Sequence, residues 1–151
     1  MKKRPDFAEL RDKLSPQVGP PTYTGTNKKR PTLNQQFFAR LAQEVFNPIF
    51  EKIEETFFVY SPGTGLWEPQ DSPTMLARIS ELMMRYANET GDAFINSKRD
   101  VGTIHNILNF MKADSCCGRE NAFARKGETF IHCGNGMILF PPQPDGRRPA
   151  T

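Results

Sequence analysis

A chain of 151 residues with 25% charged side chains and a mean hydropathy of −0.58 has room for one domain with a proper core, and not for two ordinary ones. Its 13 prolines put a good part of it outside that core, and no apolar run approaches the roughly eighteen residues needed to span a bilayer. The start, MKKRPDFAEL, lacks the apolar stretch of a secretory signal, so the expectation is a soluble, cytoplasmic protein without a membrane partner.

Three cysteines leave one over in any pairing, and they suit a reducing compartment better than a disulfide framework. The net charge of +3 is small but uneven. Met1 to Pro31 hold eight basic and three acidic side chains, whereas Thr32 to Asp71 hold two basic and six acidic. Basic charge is therefore concentrated at the N-terminal end.

Residues 1–31 read as a flexible basic arm. Phe7, Leu10 and Leu14 allow a short helix before Pro16, and VGPPTYTGTNKKRP behaves as an extended linker ending in Lys28, Lys29 and Arg30. That cluster is either a solvated tether or a phosphate-contacting arm. The folded part is expected over 32–140. Thr32 or Asn34 caps a helix with Phe37, Phe38, Leu41 and Val45 on one stripe, and it ends near Asn47 because the residue before a proline is pushed out of helical geometry. Ile49, Phe50 and Ile53 continue a short apolar face, with Glu51, Glu54 and Glu55 as an acidic patch on the other side.

Thr56 to Tyr60 is a β-branched and aromatic run, and SPGTG before Leu66 and Trp67 makes it a hairpin. Ser72 then Pro73 reads as cap and first residue of a helix that buries Met75, Leu76, Ile79, Leu82, Met83 and Tyr86 and ends near Gly91. Asp100 caps another, with Val101, Ile104, Leu108 and Met111 on one face. Asp114 to Glu128 lacks a period and reads as loop. Phe130 to Phe140 is strand, Gly-Asn-Gly turn and strand, and residues 141–151 are a proline-rich tail. The fold class expected is α+β, a mainly helical small domain with two short hairpins.

Little in the chain suggests catalysis. No glycine-rich loop ends in Lys-Ser or Lys-Thr to cradle phosphates, and no strand offers the Asp-x-Asp pair of a two-metal centre. Cys116, Cys117, His132 and Cys133 include four zinc-type ligands, but both pairs are adjacent in sequence, whereas one turn presents two ligands best at a spacing of two to four residues. The expectation is small thiols without a metal or cofactor, and His105 reads as a surface residue. Nucleic-acid contact is the one chemistry whose parts are present. Lys28, Lys29, Arg30, Lys98, Arg99, Arg125 and Lys126, with Arg119 near the last pair, can neutralise phosphates. Trp67, Phe57 and Tyr60 are aromatic rings of the kind that stack on bases, or else they are core.

The order of these elements resembles a known family. Phe58, Tyr60, Gly65 and Trp67 at the front, a helix like that of Met75 to Tyr86, a second helix, and Phe130, Ile131, Asn135, Gly136, Ile138 and Leu139 at the back are similar to the accessory domain that precedes the superfamily 3 helicase motor in phage, plasmid and poxvirus-type DNA primase-helicases. The resemblance covers Thr56 to Phe140. The family pattern continues with Asp and Leu where this chain has Leu139 and Phe140. What the resemblance implies is a non-catalytic DNA-replication module of phages, plasmids or other mobile elements. It would link primase to helicase or help the motor assemble, with the helicase ATPase domain as partner in cis or trans. Single-stranded or duplex DNA and further copies of the chain are the other partners implied. The competing expectation is a protein interaction or oligomerisation module with no DNA contact. An unrecognised small enzyme has no titratable cluster behind it.

Overall fold

The carboxylate of Asp6 accepts the amides of Ala8 at 3.1 Å and Glu9 at 3.2 Å, and helix α1 (Phe7–Val18) starts from that cap. The structure is a computed structural model that describes residues 4–24, 30–114, 118–119, 129–133 and 136–140. Instead of stopping before Pro16, α1 runs through it into the last turn. The proline leaves one carbonyl without an amide, and nearby side chains serve its neighbours: Ser15 Oγ donates to Arg11 O at 2.7 Å and Gln17 Nε2 to Lys13 O at 3.3 Å.

The expected flexible arm over 1–31 is corrected by this helix. Phe7 and Leu14 stand seven residues apart on one face, and both are buried in the core. Burying two such side chains contributes about 3–6 kcal/mol. The ring of Phe7 meets Tyr86 edge-on at 5.6 Å.

Helix α2 (Gln35–Phe46) follows the expected pattern. Asn34 caps it, Phe37, Phe38, Ala39, Leu41 and Ala42 are buried, and Asn47 closes it in left-handed geometry immediately before Pro48. Helix α3 (Ser72–Thr90) takes its cap from Asp71 rather than Ser72, because the carboxylate accepts the Thr74 amide at 2.8 Å; it ends at Gly91, φ +72°. Its stripe of Met75, Ile79, Leu82, Met83 and Tyr86 is buried as expected, whereas Leu76 is half-buried. A short helix α4 (Ala93–Ser97), not anticipated, buries Ile95. Helix α5 (Val101–Ala113) has the expected cap, Asp100, but Val101 is 73% exposed. It stands in the first turn, one turn before the packed stripe, and Ile107 completes that stripe with Ile104, Leu108 and Met111.

Four strands make a mixed sheet in the order β5-β4-β3-β6. These are β3 (Ile49–Glu51), β4 (Thr56–Ser61), β5 (Leu66–Gln70) and β6 (Gly118–Arg119). The β4–β5 hairpin is the one expected from sequence, in the register Phe57↔Gln70 to Ser61↔Leu66, and β5 is an outer strand that carries Pro69 opposite Phe58. Chain reversal from β3 to β4 replaces the expected continuation of an apolar face. It also buries Glu51, 6% exposed, which accepts the Glu54 amide at 2.6 Å instead of joining a solvated acidic patch. Phe50 and Phe57, paired across β3 and β4, meet with ring centres 4.7 Å apart and planes tilted by 42°, and both belong to the core shared with the helices. Strand β6 pairs parallel to β3, and Gly118 is required there: a Cβ would fall 2.9 Å from Lys112 O and 2.7 Å from Lys52 Cε.

Two small ribbons complete the described chain. Strands β1 (Thr22–Tyr23) and β2 (Thr32–Leu33) pair between α1 and α2. Strands β7 (Thr129–Cys133) and β8 (Gly136–Phe140) form the second expected hairpin, in the register Thr129↔Phe140 to Cys133↔Gly136. The loop over 120–128 and the tail over 141–151 lie outside the described residues. No described helix is long and apolar enough to cross a membrane.

Asn34 is 4% exposed, and its side chain caps α2 while donating to Val18 O at 2.9 Å and Pro20 O at 2.8 Å. Asn34→Ala is expected to cost about 2–4 kcal/mol in urea unfolding, with loss of amide exchange protection in α1 ahead of α3. A cost under about 0.5 kcal/mol would show that these bonds are dispensable.

Acid should act on the caps. The Thr74 side chain and amide hold the Asp71 carboxyl below its ordinary pKa, and the Thr103 amide and side chain do the same for Asp100. A lowered folded-state pKa stabilises above the ordinary carboxylate range, and that contribution is lost as pH falls through the lowered value, from about pH 4 downward. The D71N/D100N variant should therefore lose less stability than wild type between neutral pH and pH 3, as read by thermal unfolding.

Candidate nucleic-acid interface

The basic cluster of the N-terminal region belongs to the connection between β1 and β2. Lys28 and Lys29 lie outside the described residues; Arg30 is exposed beside the start of β2. Both ends of that connection are fixed. After α1, Gly19 adopts φ +89°, and a Cβ there would meet the Tyr23 hydroxyl at 2.6 Å and Asn34 Nδ2 at 3.1 Å, so only glycine suits the turn. The chain then pairs Thr22 with Leu33 and Tyr23 with Thr32, and Asn34 N donates to Pro21 O at 2.9 Å. The segment that carries Lys28, Lys29 and Arg30 is thus closed at its base by a ribbon anchored on α1 and α2.

Lys98 and Arg99 stand together at the junction of α4 and α5, but they do different things. The Lys98 ammonium is exposed and lies 5.6 Å from the centre of the Phe94 ring. Arg99 is half-buried, and its guanidinium donates to Ser80 Oγ through Nε at 3.2 Å and Nη2 at 3.0 Å, and to Asn96 Oδ1 through Nη1 at 2.7 Å. It latches the start of α5 to α3, so its first role is structural. Arg125 and Lys126 lie outside the described residues, as do Cys116 and Cys117; His132 and Cys133 fall within β7. Among the described residues no three His, Cys, Asp or Glu side chains gather as a metal site would require.

The three aromatic candidates separate. Phe57 is a core residue against Phe50 and has no free ring face. Tyr60, 44% exposed, pairs across the hairpin with half-buried Trp67, their rings edge to face at 5.7 Å.

Two depressions were not foreseen. A groove of about 780 Å³ runs along α1, lined by Arg4, Lys13 and Arg85 against Asp6, Glu9 and Glu44, with Lys13 paired to Glu44 at 3.0 Å. Its mixed charge gives it no preference for an anion. The second, a cleft of about 270 Å³, opens between the end of α2, the β4–β5 hairpin and α3, and contains Phe46, Glu68, Gln70 and Arg78. Arg78 lies 5.9 Å from the centre of the Phe46 ring. The sequence signal for it is faint: Arg78 adjoins the buried stripe of α3, where a long cation reads as a solvated flank.

Compared with protein-family models, with curated proteins and with solved structures, the chain matches none.

Arg99 and Lys98 should respond differently to replacement. Arg99→Ala is expected to lower stability by about 1–2 kcal/mol in urea, because Ser80 and Asn96 lose their donors, while Lys98→Ala should stay within about 0.5 kcal/mol of wild type. Equal losses for the two would remove the latch.

Proposed function

We propose that this chain is a non-catalytic module of a DNA-replication machine, working beside the ATPase motor of a primase-helicase in cis or in trans and contacting DNA through its basic β1–β2 connection. The likeness of Thr56 to Phe140 to the domain preceding such motors supports the association with a helicase. What supports DNA contact is one observation. Arg30 leads directly into β2, and the β1–β2 pairing with the bonds of Asn34 closes the base of the connection to which Lys28 and Lys29 belong in sequence. A connection tied at both ends keeps its three cations close to one another along the chain and close to the folded part, so their attractions to a phosphate backbone add up. Exposed Lys98 is a fourth cation of the same kind. On this reading the cytoplasm is the working compartment and self-association is a route to motor assembly.

Fluorescence anisotropy with single-stranded and duplex oligonucleotides across a salt series tests this. Wild type should bind with an affinity that falls steeply with salt, and the K28A/K29A/R30A variant should have a slope of log affinity against log salt shallower by about 2–3. An unchanged slope would make the connection a spacer. No binding at low salt would leave an interaction module with no DNA contact.

A further inference from the structure

We infer that the cleft between α2, α3 and the β4–β5 hairpin receives one unpaired guanine base of a nucleic-acid strand, an inference that rests on the DNA-contact reading above. At about 270 Å³ the cleft suits one ring system and not a dinucleotide. Its lining is more polar than apolar: Phe46, Val59 and Pro62 supply the apolar part, and the charged and amide groups are Glu68 and Gln70 from one face of β5 and Arg78 from α3.

The charges decide what fits. The Arg78 guanidinium lies over the Phe46 ring, and among the described residues no carboxylate stands within ion-pair distance of it. Its donors are therefore available in a half-buried setting. Glu68 lines the same cleft, and its Oε1 accepts the Thr64 hydroxyl at 3.2 Å. An anion entering the cleft would gain from Arg78 and lose to Glu68, and a cation would meet the reverse, so neither profits. A neutral planar group with donors on one edge and acceptors on the next satisfies both.

Among the bases, guanine has that pattern. Its N1–H and N2–H donors lie side by side for a carboxylate, and its O6 and N7 accept from an arginine. Adenine, cytosine and thymine offer no pair of adjacent ring and amino donors. Because the donor edge is occupied in a duplex, the base must come from an unpaired stretch. Basic residues that hold the backbone and a cleft that takes a base divide the work as positioning and reading contacts do in general.

Amide NMR on the full chain, titrated with the four nucleoside 5′-monophosphates, tests the inference, since the phosphate is common to all four. Guanosine monophosphate should shift Val59, Ser61, Glu68 and Gln70 and bind at least about tenfold more tightly than the others. E68Q should reduce that preference to under about threefold while leaving adenosine monophosphate unchanged, with an otherwise wild-type spectrum showing that the fold is kept. Equal binding of all four, or no shifts in the cleft, overturns the inference. So do cleft shifts with N-acetylglutamine amide but none with the nucleotides, which would make the occupant a protein side chain. Failure here with salt-sensitive oligonucleotide binding intact leaves the DNA-contact reading standing; guanine-selective shifts without oligonucleotide binding would remove that reading and keep the cleft's base recognition.

Discussion

A carboxamide offers two donors and an acceptor from one plane, and at Asn34 all of them are used. Its oxygen accepts the Phe37 amide to start α2, while its nitrogen donates to the carbonyls of Val18, the last residue of α1, and of Pro20 just beyond it. The backbone amide of the same residue bonds Pro21 O, so the end of one helix and the start of the next are held at a single buried point. Pro20 and Pro21 have no amide hydrogens of their own, and the turn needs a partner from elsewhere. Without it α1 would rest on Phe7 and Leu14, supplemented by peripheral polar contacts such as Lys13 with Glu44 and Gln17 with Arg40.

Once α1 is placed, Tyr86 binds the helices together. Its ring meets Phe7, Phe37 and Phe38 edge-on at 5.4–5.9 Å, so α1, α2 and α3 share one aromatic centre. Burial pushes the phenol above its ordinary pKa, and Arg11 of α1 opposes that by approaching the hydroxyl. At the far end of α1, Arg40 of α2 bonds Gln17 and reaches Asp114 after α5, and Gln43 bonds the same carboxylate at 3.2 Å. The bundle is thus an aromatic interior with polar ties at its ends. The sheet covers another side through Phe50 and Phe57.

What could be read from sequence was what local chemistry determines. A cap at Thr32 or Asn34, of which the structure uses Asn34, the stop at Asn47 before Pro48, the hairpin of Thr56 to Tyr60 with Leu66 and Trp67, the Gly91 terminus and the Asp100 cap each depend on residues within a few positions of one another. What escaped depends on distant partners. Phe7 and Leu14 are too few to announce a core helix, and only contact with Tyr86 makes them one. Two-residue strands such as β6 carry no period, and the burial of Glu51 follows from the turn that replaced a supposed helical face. The candidate interface follows the same rule: charge density singles out Lys28, Lys29 and Arg30 as candidates but does not reveal the β1–β2 ribbon at the base of their connection, and sequence does not separate Arg99, bonded to Ser80, from exposed Lys98. The cleft around Arg78 joins three elements distant in sequence, and no window along the chain contains it.

Pro69 has a meaning for assembly. An outer strand with free amides invites a neighbouring chain to add to the sheet, and a proline in that strand removes a donor from the row. Among the described residues β5 has a strand on one side only, and along its other side an added segment would meet a defective template. Growth of the sheet from copy to copy, the usual hazard of a small domain with an outer strand, is thus discouraged along β5 by one imino acid.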